Sequence, residues 1–428
     1  MGAAAKYLDF DLQITKEGDQ YMAEVRNSPA GPSRKCLLHW PFGFDSHEKL
    51  LLELQVAVLK SRGYRGGPLT TEEAVLRDFG RDVYSAVFRP GDPVDQKFAA
   101  SFEKIQLVGG DCAGLRLKLR VEPPELAMLP WEYMFEESNR VPLSQRRYNY
   151  LCLRERSPLV RVLDVEGALA PSARANGPLR ILGMISNPGG MDWELLDTEA
   201  ERRRIEEALK DIPKSAVHFE WVRGGEPDSL FQAMEDSPWH IFHFIGHGGT
   251  ERHIDEQGQI RTEGFVVMQD GIGGAVKVAA SQLGLMLEGN RDLRLAVLNC
   301  CDSGRGGAFS SAGAAVVMAG VPMAVAMQFP ISNGGAARFA GQFYKSLISG
   351  QPVEQALTTA RRFMSLESNV EWGIPVLFTQ AGASVVFEVE LHEADPAEAP
   401  HVAAAALVAS DQQKRRAQAQ EELRRLFM

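Results

Sequence analysis

Two stretches of this chain are apolar on almost every residue rather than on every second one. The first reads His240-Ile241-Phe242-His243-Phe244-Ile245-Gly246-His247-Gly248-Gly249, and the second Leu295-Ala296-Val297-Leu298-Asn299-Cys300-Cys301-Asp302-Ser303-Gly304. A strand with apolar residues on both faces must be covered on both faces, which is the condition of a parallel sheet clad in helices. Each run also ends in a residue capable of chemistry. Open α/β sheets carry their reactive groups at the carboxyl ends of their strands. A His and a Cys delivered there on separate strands have the makings of a catalytic dyad.

The surrounding pattern agrees. From Leu179 onward, strands are predicted at 179–185, 217–222, 240–245, 293–299, 323–328 and 375–379. Helices are predicted between them at 198–210, 229–235, 279–288, 312–319, 335–348 and 352–366. Such alternation implies an α/β fold with a mostly parallel sheet and helices on both faces. Earlier, Leu8, Phe10, Leu12 and Ile14 alternate with polar residues, as do Leu115, Leu117, Leu119 and Val121 with Arg116, Lys118 and Arg120. Those are half-buried strands, with helices expected around 47–62 and 71–88, so residues 1–166 form a mixed α+β N-terminal region. Residues 167–178, rich in Ala, Pro, Gly and Ser, read as a linker. The second domain is expected at 179–390, and residues 391–428 as an acidic linker and a charged helix.

A chain of 428 residues is long enough for sizeable cores, and its net charge of −10 gives no electrostatic case for nucleic acid or an anionic membrane. No stretch is apolar enough to span a bilayer, and the start of the chain lacks a signal-peptide layout. The five cysteines, Cys36, Cys112, Cys152, Cys300 and Cys301, are scattered and odd in number. They suit a reducing, cytoplasmic setting rather than a disulfide framework.

The thiolate is the reactive form of cysteine, and a neighbouring imidazole can take the thiol proton and later protonate a leaving amine. His247 stands at the carboxyl end of its run. Free Cys is among the most buried residue types, so a Cys at a strand end is commonly inert packing. Adjacent cysteines on a strand face opposite sides, so only one can meet the imidazole. Cys301, nearer the carboxyl end and the Ser303-Gly304 turn, is the preferred nucleophile. Gly248 and Gly249 let a substrate backbone approach, and their amides, with that of Cys301, suit an oxyanion hole. No metal site is expected. His240 points away from the face shared by His243 and His247, and His243 reads as structural. No cofactor is expected either, because the runs at 271–274 and 304–307 lack the Lys-Ser or Lys-Thr ending of a phosphate loop.

In this order, further motifs carry a family resemblance. They are Leu129-Pro130-Trp131-Glu132, Ser157-Pro158-Leu159-Val160-Arg161, His243 to Gly248, Leu298 to Gly304, Val325-Ala326-Met327-Gln328-Phe329, and Glu371-Trp372-Gly373-Ile374-Pro375-Val376-Leu377. Together they resemble the CHAT proteases, caspase-like cysteine peptidases related to separase. The resemblance implies a caspase-like α/β sandwich and endopeptidase activity, with the nucleophile at Cys301 and the general base at His247. Relatives act in bacterial defence or cell death on a protein substrate. An activating or inhibiting partner, or homo-oligomerisation, is the expected restraint. The N-terminal region is expected to be regulatory or a degenerate protease-like counterpart. One departure stands out. Where relatives carry acidic or Thr-Asp residues after the Met-Gln-Phe segment, this chain has Pro330-Ile331-Ser332-Asn333-Gly334-Gly335. Asp192, Glu194 and Asp302 are then the candidates for charge in the substrate pocket, and Trp372 for its wall. The alternative is a caspase-like binding scaffold without turnover.

Overall fold

The computed structural model describes residues 6–43, 47–61, 70–108, 112–137, 149–165, 178–189, 193, 195–210, 212, 215–254, 260–300, 310–366, 370–380 and 387. The N-terminal part opens with the hairpin β1 (Lys6–Glu17) and β2 (Gln20–Asn27), turned through Gly18 at φ +58°. Next come β3 (Cys36–Leu37), α1 (His47–Lys60), α2 (Thr71–Val87) and α3 (Pro93–Val108). Thr70 caps α2, accepting from the Glu73 amide while the Glu73 carboxylate accepts from the Thr70 amide. The part ends with β4 (Cys112–Val121), the single turn α4 (Pro124–Ala127) and β5 (Leu159–Leu163).

The second part alternates as its sequence implies. It contains β6 (Leu179–Ile185), α5 (Thr198–Leu209), β7 (Val217–Trp221), α6 (Pro227–Asp236) and β8 (Ile241–Ile254). Then follow β9 (Ile260–Gln269), β10 (Ala275–Ala279), α7 (Ala280–Glu288), β11 (Leu295–Cys300) and α8 (Ser310–Met318). Last are β12 (Met323–Met327), α9 (Asn333–Ile348), α10 (Val353–Ser365) and β13 (Pro375–Gln380).

All thirteen strands among the described residues join one sheet. Strands β7, β6, β8, β11 and β12 run parallel in that order, and β13 lies antiparallel to β12. Beyond β13 the sheet continues, parallel, into β5, β4 and β1, and ends with antiparallel β2 and β3. The fold is therefore an α/β sandwich on a mostly parallel sheet.

Helices cover both faces of the second part. On β8, Ile241 and Ile245 enter one apolar core with Phe339 and Phe343 of α9 and Leu357 of α10, while Phe242 and Phe244 enter the other with Leu230 of α6, Leu283 of α7 and Val316 of α8. That two-sided burial is why these strands read as unbroken apolar runs.

In β4 the two faces are unlike. Leu115, Leu117 and Leu119 enter the core, and Arg116, Lys118 and Arg120 are buried on the other face. Period-two alternation predicts a solvated polar face there, and ion pairs replace the solvent. Arg116 bonds Asp9 at 2.7 Å and Glu354 of α10 at 2.6 Å, Lys118 bonds Asp9 at 2.7 Å, and Arg120 bonds Asp11 at 2.7 Å.

Candidate active site

Strand β8 serves two partners in succession. Up to Gly246 it runs parallel between β6 and β11, and from His247 it pairs antiparallel with β9. The change of partner happens at Gly246, where a Cβ would lie 2.8 Å from the carbonyl oxygen of Ser186, the residue after β6. His247 is thus the first residue beyond the parallel sheet, at the carboxyl edge, and it is fully buried.

Strand β11 ends beside it. Cys300 lies in register with Gly246 and is buried in the second core, with Ala296 and Leu298. Successive residues of a strand point to opposite faces, so His247 follows Ile245 on the first-core face, opposite to Cys300. Cys300 is therefore a packing residue. Cys301 and Asp302 lie outside the described residues, as do Asp192 and Glu194. Cys152, buried in the N-terminal part, has its thiol pushed up to about 12 by burial, which leaves it neutral and unreactive.

The glycines after His247 sit in the β8–β9 ladder, Gly248 opposite Val266 and Gly249 opposite Phe265. A Cβ on Gly249 would come 3.0 Å from the Phe265 ring, so this glycine makes room for an aromatic. Trp193, from the loop between β6 and α5, packs on the imidazole of His247 with ring centroids 5.3 Å apart and planes tilted by 36°. Sequence reading passed over Trp193. It belongs to none of the motifs, and only its spatial neighbour reveals it.

Trp372 is buried, with ring centroids 4.5 Å from Tyr150 and 5.2 Å from Tyr133. Its neighbours explain the flanking motifs. Arg161 bonds the buried Glu132 carboxylate at 2.6 Å, the Leu129 carbonyl at 3.0 Å and the Gln328 side-chain oxygen at 3.1 Å. Gln328 in turn donates to Glu132 at 3.0 Å and to the Gly373 carbonyl at 2.7 Å. Four motifs scattered along the chain thus meet in one buried network at the carboxyl end of β12. The divergent loop after Phe329 is held there too. Ser332 caps α9 through the Gly335 amide, and its own amide and hydroxyl donate to the buried Glu371 carboxylate at 2.9 and 2.8 Å.

His243 shares the first-core face and meets Tyr344 of α9, Nδ1 to hydroxyl, at 2.5 Å. Burial lowers its pKa to about 3, so it is neutral throughout the physiological range. Among the described residues, no group of three or more His, Cys, Asp or Glu side chains is arranged to hold a metal ion. None of the described helices is long and apolar enough to cross a membrane.

A model of the CHAT domain family matches residues 81–417. Among solved structures, the chain is similar to a chain of the Saccharomyces cerevisiae separase–securin complex. The identity is 12% and the TM-score 0.32, over 81% of this chain and 23% of that one. This chain thus spans about a quarter of that protein's length. No curated protein matches it.

Proposed function

We infer that this chain, which belongs to the CHAT domain family, is a cysteine endopeptidase that uses Cys301 as nucleophile and His247 as general base. The thiolate of Cys301 attacks the scissile carbonyl carbon while His247 holds the thiol proton. The tetrahedral oxyanion is met by the amides of Gly248 and Cys301. Collapse breaks the C–N bond as His247 gives its proton to the leaving amine, and a thioester remains. Water, deprotonated by His247, then hydrolyses it and regenerates the thiol. Asp192, Glu194 and Asp302 supply the charge that selects the side chain before the scissile bond.

The observation that carries this reading is the parallel register of β8 and β11. Cys300 pairs with Gly246, and the residues that follow them in the sequence are Cys301 and His247. The burial of Cys300 on the opposite face favours Cys301 over its neighbour. A cytoplasmic peptidase without restraint would degrade its own cell. The proposal therefore includes gating by a partner protein or a second copy, in a role in bacterial defence or cell-death signalling.

Labelling with an irreversible thiol-directed peptide probe tests it, on wild type, Cys301→Ala, Cys300→Ala and His247→Ala. Labelling is expected to vanish in Cys301→Ala and His247→Ala and to persist in Cys300→Ala. Equal labelling in all four proteins would show that the dyad is not activated, leaving either a gated enzyme awaiting its trigger or a caspase-like binding scaffold.

A further inference from the structure

We propose that Trp193 is a positioning residue that fixes the imidazole of His247 for proton transfer; this rests on the peptidase reading above. His247 is the first residue past the parallel sheet, with its backbone held by β9, and the orientation of its buried ring about χ1 and χ2 is set by what packs on it. Trp193 does so at 5.3 Å. The indole is itself packed against a second ring. Its edge meets Phe265 of β9, centroids 6.3 Å apart and planes at 78°. Phe265 occupies the space left by Gly249, and the Lys277 ammonium of β10 lies 4.9 Å from its ring centre.

The loop carrying Trp193 is closed at its base. The Asn187 side-chain amide donates to the Leu196 carbonyl and accepts from the Leu196 N–H, each at 2.9 Å, which imitates one rung of a strand pair. The Asn187 carbonyl accepts in turn from Gln269 of β9 at 3.4 Å. With Asn187 tied both to Leu196 and to the strand that faces His247, the base of the loop is fixed on both sides, and this favours positioning over a swinging lid. A misplacement of about 1 Å in a catalytic group costs on the order of a hundredfold in rate, so a ring contact of this kind has a measurable effect.

The test is saturation labelling of Cys301 with a thiol-directed peptide probe on the full chain, in wild type, Trp193→Ala, Trp193→Phe, Asn187→Ala and His247→Ala. Alongside it, carbethoxylation of His247 by diethylpyrocarbonate is mapped by mass spectrometry. Trp193→Ala is expected to lower the maximal labelling rate by about tenfold or more without changing the half-saturating probe concentration, while His247 becomes open to carbethoxylation. Trp193→Phe should restore both. Asn187→Ala, which alters neither ring, should move both in the same direction as Trp193→Ala but less far.

An unchanged maximal rate with a raised half-saturating concentration would make the indole a substrate contact and overturn the proposal. Faster labelling would make it a lid and overturn it equally. Carbethoxylation of His247 at the same rate in wild type and Trp193→Ala would remove the packing role, whatever Cys301 does. Wild type labelling no faster than His247→Ala would instead reject the dyad itself.

Discussion

A histidine inside a strand that is covered on both faces has nowhere to put a charge. His243 is that residue, buried against Tyr344 with its pKa lowered to about 3. The unfolded chain takes up the proton below the ordinary value near 6.5, and the folded chain does not until about pH 3. The stability that His243 contributes is thus fully present above pH 6.5 and is lost as pH falls toward 3. Wild type is expected to lose about 1.4 kcal/mol more than His243→Leu between pH 7.5 and 5.5 in urea unfolding. Parallel curves for the two proteins would show that the imidazole titrates normally in the fold. At this scale the sequence told unequal stories. His243 was legible as structural because no acidic or Cys partner stands close to it in the sequence. The roles of Glu132, Arg161 and Gln328 were not. Each stood within a motif, yet the network joins residues 29 to 196 positions apart, and no local periodicity reports that.

Elements were legible where burial is two-sided or strictly alternate. Strands β6, β11, β12 and β13 fall within about two residues of the expected ranges, because their composition is set by the layers above and below. Six described elements escaped, namely β3, α3, α4, β5, β9 and β10. α3 was not assigned, although Phe98, Phe102 and Ile105 recur at helical spacing. Strands β9 and β10, and the second half of β8 with them, escaped for another reason. Gly248, Gly249, Thr250 and Glu251 have the composition of a loop, and only mutual pairing makes that segment a strand. Helix α2 shows a tertiary contact overriding propensity in a way that can be measured. Gly80 lies in its middle, where Ala would ordinarily be better by about 1 kcal/mol. Here a Cβ would stand 1.8 Å from the Tyr133 carbonyl oxygen, and the Phe135 amide bonds the Gly80 carbonyl at 3.0 Å. Gly80→Ala should therefore destabilise the protein by about 2 kcal/mol or more, by forcing α2 off the segment that carries Trp131 and Glu132. Ser85→Ala, on the exposed side of the same helix, should be neutral or slightly stabilising. A Gly80→Ala protein as stable as wild type by urea unfolding would mean that this approach yields cheaply.

At the scale of the molecule, the two parts of the chain are not separately finished. β13 has β12 on one side and β5 on the other, with Phe378, Thr379 and Gln380 in register with Arg161, Val162 and Leu163. One apolar core runs from Phe10 and Leu12 through Trp131 and Leu159 to Phe339 and Trp372, crossing from the N-terminal part into the second. The buried residues of the second core run from Leu182 to Phe378, and Leu163 and Val165 of the N-terminal part pack against it. The buried Arg161–Glu132 pair closes on Gln328 and Gly373, so removing the N-terminal part would strip partners from groups that water cannot reach. It would also open the β13 edge to other chains. The family match begins inside α2, before that junction. The physical expectation is one cooperative unit. Residues 178–428 expressed alone should aggregate. The full chain, cut at a protease site inserted within 166–177, should stay together through gel filtration and unfold in a single transition with urea. If the two pieces elute separately and each unfolds on its own, the shared strand pairing and the buried network do not hold the halves together. The end of the sheet that carries His247 would then owe its geometry to β6 through β13 alone.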